Sequence, residues 1–283
     1  MSQSSLLINQ IEGLNVRPGS LAVWGLGQMG VALKTSRQKV IYIDPVLTDV
    51  VTRKLPETAG RMDRAFPPPL LPEEIGRADY VLCTHEHFDH TDPYTLGPLA
   101  IASPQARFIA TAWAENLLDE AGIAPERRII PQPDQPVELD GLKVYIVPAG
   151  HYQVENDPQK GTRWMSLLLD FGDIRFFHTG DTILYPGYLE AIQKLPRAEI
   201  GMAAVNGRDT VREWSDAIGN LWPAEAAWLA GQAGWDVLLG GHNDLFAWNS
   251  IQPGDLLNAV HKVNPLQKVH FLKPGELYYY IRL

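Results

Sequence analysis

Short apolar runs broken by turn residues set the rhythm of the first part of the chain. Residues 21–24, 31–34 and 39–44 are β-rich and separated by Gly, Ser and Arg-Gln turns, which predicts an antiparallel meander. From 52 to 76 the character changes: Leu55-Pro56, Phe66-Pro67-Pro68-Pro69-Leu70 and Leu71-Pro72 suit an extended loop. Loops of that length are uncommon unless they wall or cover a site. Tyr80-Val81-Leu82-Cys83 reads as a short buried strand, followed by helices at 93–103 and 112–121 around a strand at 107–110. Further strands are predicted at 143–147, at 165–170 and 174–178 as a hairpin turned at Phe171-Gly172-Asp173, at 200–205 and at 235–239. A helix over 223–233 is supported by Pro223 at its first position and Glu225 in its first turn. No linker of disordered composition separates the halves. The pattern predicts one α/β domain over 1–283, with two sheets inside, helices outside, and a Pro-rich loop insertion near 52–76.

Composition narrows the class. With 45% hydrophobic and 20% charged residues, 283 residues can bury a sizeable core. The formal net charge of -9 argues against an extended nucleic-acid partner, which needs many exposed Lys and Arg. Cys83 is the single cysteine, so no disulfide forms within the chain, and a reducing compartment, the cytoplasm, is expected. No secretory signal or membrane-length apolar run is visible, so no membrane partner is expected. Cys83, inside an apolar strand, reads as a small core residue rather than a nucleophile.

Gly25-Leu26-Gly27-Gln28-Met29-Gly30 matches the dinucleotide pattern G-x-G-x-x-G. That pattern works only where the last glycine opens a helix whose N-terminus holds a pyrophosphate. The residues after Gly30 are β-rich, so these glycines are assigned to tight turns in the meander.

The chemistry concentrates elsewhere. All eight histidines lie at or after position 85, and three fall within six residues: His85, His87 and His90, with Asp89 between them. Two imidazoles two residues apart on an extended backbone point the same way. Imidazole and carboxylate ligands suit Zn, Mn or Fe. The segment begins like the zincin H-E-x-x-H, but its fifth residue is Asp89 and it follows a strand rather than lying on a helix. Further candidates follow apolar β-runs beside glycine: His151, Asp181 and His242. His178 reads as a support or packing residue, His261 and His270 as structural or exposed.

His85-x-His87-x-Asp89-His90, then His151, Asp181 and His242 in that order, resembles the metallo-β-lactamase superfamily. The resemblance implies a four-layer αβ/βα sandwich and two metal positions. His85, His87 and His151 would hold one ion, Asp89, His90 and His242 the other, with Asp181 bridging. The cofactor implied is one or two divalent ions, Mn or Zn. Asn206-Gly207-Arg208-Asp209, Arg212, Gly219-Asn220, Glu225-Ala226-Ala227 and Gly241-His242-Asn243-Asp244 are similar to the L-ascorbate-6-phosphate lactonase branch, as is Phe66-Pro67-Pro68-Pro69. This implies a homo-oligomer acting on a small phosphorylated sugar lactone. Arg208 and Arg212 have the chemistry to grip a phosphate bidentately, or to pair with carboxylates such as Asp209 and Glu213. Asn206 and Asn220 offer amides to sugar hydroxyls, or cap turns.

On this reading a bound ion lowers the pKa of water toward neutrality and hydroxide attacks the lactone carbonyl. Asp89 or Asp181 orients it and passes a proton to the departing ring oxygen. Two metals suit displacement at phosphorus equally well, so a phosphodiesterase or RNase is the alternative enzyme. A non-catalytic metal-binding scaffold is the alternative outside catalysis.

Overall fold

The computed structural model describes residues 2–132 and 135–282. The chain folds into two compact units, Met1–Pro131 with Leu272–Leu283, and Gln132–Phe271.

The first unit opens with helix α1, Gln3–Gly13, whose first turn is held by the Ser5 N–H donating to Ser2 Oγ and whose inner face is Leu7, Ile8 and Ile11. Strands β1 (Ser20–Gly27), β2 (Gly30–Thr35) and β3 (Val40–Ile43) follow. They pair antiparallel in sequence order, as the meander predicted. The Pro-rich stretch, expected as extended loop, contains short helical turns instead. Helix α2 spans Val50–Lys54, and 3-10 turns span Pro56–Thr58 and Pro72–Glu74. Proline stands first in each 3-10 turn, where its fixed φ and missing N–H cost nothing. Strand β4 (Tyr80–Cys83), helix α3 (Pro93–Ala102) and strand β5 (Arg107–Ala110) lie where predicted. The next helix begins as a 3-10 turn at Ala112–Ala114 and continues as α4, Glu115–Glu120, before the short strand β6, Arg128–Ile129.

In the second unit, β7 (Val137–Leu139), β8 (Leu142–Pro148), the small β9–β10 pair (Asn156–Asp157 and Gly161–Thr162) and the β11–β12 hairpin (Met165–Asp170, Arg175–His178) come first. Then follow α5 (Tyr188–Gln193), β13 (Ile200–Ala204), α6 (Thr210–Glu213), α7 (Pro223–Ala233), β14 (Val237–Gly241), α8 (Pro253–Val263) and β15 (Lys268–Phe271). Strand β14 starts two residues later than expected. Gly234 takes φ +69° at the end of α7, and the Trp235 N–H donates back to Ala230 O, so Trp235 still belongs to the helix stop. The final strand, β16 (Leu277–Ile281), joins the first unit's sheet.

Among the described residues the two large sheets have seven strands each and are mixed: β16-β1-β2-β3-β4-β5-β6 and β15-β14-β13-β12-β11-β8-β7. In each, one part is antiparallel and the other parallel: β3 to β6 in the first, β12 to β15 in the second. Leu96 and Leu99 of α3 and Leu118 of α4 join Val81, Cys83 and Phe108 in the first unit's core. Ala226, Leu229 and Ala230 of α7 join Ala203, Leu238 and Trp235 in the second. Gly201 is required there: a Cβ would lie 1.9 Å from Trp235 Cε3. Among the described residues no helix is long and apolar enough to cross a membrane.

Ligands in α/β sheets gather at the carboxyl ends of parallel strands, where backbone turns outward and helices begin. Here Asp44 follows β3, Thr84 follows β4, Thr179 follows β12 and His242 follows β14. The parallel part of each sheet therefore delivers most of the chemistry-bearing loops, while the His151 loop follows the antiparallel strand β8.

Candidate metal centre

In the first unit, the chain leaves β4 at Cys83 and turns tightly through the histidine cluster. The N–H groups of His90 and Thr91 donate to His87 O at 3.0 and 2.8 Å. The turn ends at Asp92, which caps α3 by accepting from the Tyr94 N–H at 2.9 Å. The His85 ring lies 4.6 Å from that of His87 and 4.1 Å from that of His90, centroid to centroid. His85 and His90 are buried, His87 and Asp89 half-buried. Asp89 Oδ2 is 3.8 Å from His90 Nε2.

Asp44 organises this cluster, and sequence reasoning missed it. It is buried, with φ +45°, immediately after β3. Its carboxylate accepts from the Thr84 N–H and Oγ1–H, both at 2.8 Å, and contacts His90 Nδ1 at 2.8 Å. Thr84 Oγ1 has one proton, given to Asp44, so His85 Nδ1 at 3.0 Å must donate to it. Both rings therefore carry their proton on Nδ1, which makes Nε2 the coordinating nitrogen of each. The only sequence signal was an Asp ending an apolar strand before proline.

In the second unit, His151 sits beyond β8, with its ring 5.7 Å from Trp164 and 6.5 Å from Tyr152. Its loop is tied to the Asp181 loop: the Gly150 N–H donates to Thr182 Oγ1 at 3.0 Å, and the Ile183 N–H to Gly150 O at 2.8 Å. Ligand atoms of His151 and Asp181 come within 4.8 Å of each other. His242 Nε2 is 3.2 Å from Asp181 Oδ2. His178 is buried and takes the supporting place: its Nδ1 accepts from the Gly180 N–H at 3.1 Å, holding the turn that presents Asp181.

The four substrate-binding candidates gather in one network. Asn220 Nδ2 donates to Asn206 Oδ1 at 3.0 Å, and Asn206 Nδ2 to Asn249 Oδ1 at 2.9 Å. Arg212 Nη1 donates to Asn206 O and Asn249 Oδ1, and its Nε to Asp209 Oδ2. Asp209 also caps α6 by accepting from the Val211 and Arg212 N–H groups, and the Arg212 N–H and guanidinium, with the Val211 N–H, hold its carboxyl below the usual Asp range. Arg208 pairs bidentately with Glu225, at 2.8 and 2.6 Å, rather than with Asp209 or Glu213. Glu213 instead accepts from the Tyr152 hydroxyl at 2.5 Å. Both guanidinium groups thus have carboxylate partners, the second of the two roles read from the sequence. Asn249 is a member that sequence did not single out, while Glu225 stood there in the lactonase-like motif but not as an ion-pair partner.

Left-handed backbone occurs beside ligand candidates in each unit. Among the described residues, the non-glycine positions with positive φ are Gln28, Gln38, Asp44, Tyr152, Asp216 and His242. Asp44, Tyr152 and His242 are candidate ligands or immediate neighbours of them in sequence or space. Such conformations cost energy and persist where surrounding contacts enforce them, typically at functional positions. The donors themselves fit a divalent ion: imidazole nitrogens, those of His85 and His90 fixed as one tautomer by buried hydrogen bonds, and carboxylate oxygens.

A family model described as a beta-lactamase superfamily domain matches residues 39–242. The chain belongs to the metallo-β-lactamase superfamily. It is 27% identical over 175 residues to an uncharacterized protein of Mycobacterium tuberculosis, spanning 62% of this chain and 45% of that protein. It therefore spans less than half the length of that curated relative. It is 23% identical over 254 residues to a UPF0173 metal-dependent hydrolase of Sulfolobus acidocaldarius, covering 89% of this chain and 96% of the other. Among solved structures it resembles Igni18, a metallo hydrolase of Ignicoccus hospitalis, with TM-score 0.66 and 18% identity over 93% of this chain and 100% of the other. It also resembles the metallo-beta-lactamase fold protein YhfI of Bacillus subtilis, with TM-score 0.63 and 17% identity over the same shares. These likenesses are of fold, and they place the two mixed sheets in the metallo-β-lactamase architecture.

Proposed function

We propose that the chain is a metal-dependent hydrolase that opens a small lactone, with a phosphorylated sugar lactone as the leading substrate. His85, His87, Asp89, His90, His151, Asp181 and His242 are the proposed ligands of one or two divalent ions, Mn or Zn. The observation that carries this reading is the Asp44–Thr84 system, which fixes His85 and His90 with Nε2 outward, as a ligand requires. A divalent ion supplies Lewis acidity at the carbonyl and lowers the pKa of a water. Asp89 or Asp181 would orient the attacking water and accept its proton, and that carboxyl would return it to the departing ring oxygen. No Ser-His-Asp arrangement or reactive thiol is needed. Burial pushes the Cys83 thiol pKa far up, which keeps it inert.

The net charge of -9 supports a small substrate over an extended nucleic acid. Arg208 and Arg212 have carboxylate partners, so the bond broken, rather than phosphate recognition, defines the class we propose. The single cysteine fits a cytoplasmic setting.

The test is chelation followed by add-back of Mn or Zn. Turnover of sugar-phosphate lactones should vanish on stripping and return with metal. Unchanged lactone hydrolysis after complete stripping would sink the proposal. Cleavage of bis-p-nitrophenyl phosphate or a short RNA, with lactones untouched, would assign a phosphodiesterase or RNase instead. Bound metal without turnover would leave a scaffold.

A further inference from the structure

The glycine-rich segment Gly25–Gly30 is not a nucleotide cradle, since β2 starts directly at Gly30. It has another use. Gln28, at the tip of this turn, is buried and held at φ +57°. Its side-chain Nε2 donates to Asp89 Oδ2 at 2.7 Å. The turn also presses on the other support of the cluster. A Cβ at Gly30 would lie 3.0 Å from Asp44 O and 2.9 Å from Gly27 O, so only glycine admits this approach. One turn therefore touches Asp89 directly and the backbone of Asp44, the residue that orients His90.

We infer that Gln28 is a positioning residue for Asp89, presented by the tight β1–β2 turn at Gln28–Met29. This rests on the metal-centre reading above. An amide suits the task. It is neutral, so it does not compete with the carboxylate for a cation. It donates a hydrogen bond, so it fixes the carboxylate's rotation, and a carboxylate oxygen has lone pairs for an N–H and an ion together. The strained backbone at Gln28 is the local cost of aiming that amide. Gln28 acts only through Asp89, so its loss should weaken the ion that Asp89 and His90 hold and leave any other ion unchanged.

The experiment compares wild type with Gln28→Gly and Gln28→Met. Glycine suits the left-handed backbone while deleting the amide; methionine keeps the length and removes the donor. Metal-free protein is titrated with Mn²⁺ and with Zn²⁺ against a chromophoric chelator, and Co²⁺-loaded protein is examined by its visible absorption. Both variants should bind one ion roughly 10- to 100-fold more weakly, the usual effect of removing a ligand's hydrogen-bond partner. The Co²⁺ spectrum should change, while the melting temperature of metal-free Gln28→Gly stays that of wild type. Wild-type affinity in both variants overturns the inference. So does a loss of affinity that only tracks a fall in metal-free melting temperature, which would make Gln28 a folding residue. Failure of the wild type itself to bind metal is a separate result and overturns the metal-centre reading.

Discussion

His90 Nδ1 lies 2.8 Å from Asp44 Oδ2, and both side chains are wholly buried. The same carboxylate holds the Thr84 hydroxyl, which in turn receives His85 Nδ1. One acceptor-only group thus dictates the proton position on two imidazoles.

Asp44→Asn should disturb that arrangement with little backbone change, because Asn tolerates the left-handed φ of this position. Its amide can offer only one acceptor oxygen where three donors now converge. Either Thr84 or His90 must then face an N–H, and His90 is driven toward the tautomer that protonates Nε2. Metal affinity should fall about 10- to 100-fold. Metal content after dialysis, with ¹⁵N chemical shifts of His90, measures both effects.

Arg212→Met removes a buried guanidinium that donates to Asp209, Asn206 O and Asn249 Oδ1. The expected cost is roughly 2 kcal/mol, set by the buried acceptors left behind rather than by the partly exposed ion pair. Urea midpoints give the number. A raised KM at unchanged stability would instead mark Arg212 as a substrate contact.

Lys34 is buried, and its ammonium donates to Ile11 O at 2.9 Å and to Glu12 O, closing the end of α1. Burial, helped by Arg77 and opposed by Glu12, holds its pKa below the ordinary 10.5. Between its folded and unfolded values the unfolded chain binds the extra proton, so stability attributable to Lys34 rises with pH in the window just below 10.5. Lys34→Met should be less stable than wild type at pH 7 by about 1–2 kcal/mol for the carbonyls it leaves. The gap should widen as the pH approaches 10. Parallel urea titrations at neutral and alkaline pH test the sign.

Gly201→Ala places a methyl group 1.9 Å from Trp235 Cε3, so the indole must move. The cost should be about 1–3 kcal/mol, as for overpacking elsewhere. Trp235→Leu in the same chain should recover part of it, because the two substitutions share one space. Thermal melts of the single and double variants decide this.

Sequence reveals those parts of this protein whose signal is local. Tyr80–Cys83 and Arg107–Ala110 are short apolar runs in which almost every residue is buried, and Pro223 with Glu225 marks the start of α7. The histidine cluster stands out because its chemistry is dense. What sequence hides is set by tertiary approach. The pairing of β1 with β16 joins residues more than 250 positions apart, as in Leu21 opposite Tyr280. Asp44 and Gln28 are ordinary residues until the meander brings them to His90 and Asp89. Arg208 passes over nearby Asp209 and Glu213 for Glu225, because a helix N-terminus delivers that carboxylate to it.

The seven proposed ligands lie in segments beyond strand ends, with no ligand inside a strand. That separation has a consequence for evolvability. Residues within β4, β12 and β14 answer to packing, while the turns that follow answer to reactivity. Substrate range can therefore drift by exchange of exposed connecting segments, such as 152–163, without renegotiating either core. Randomised libraries confined to those segments should yield folded proteins at far higher frequency than libraries of equal size placed in the strands.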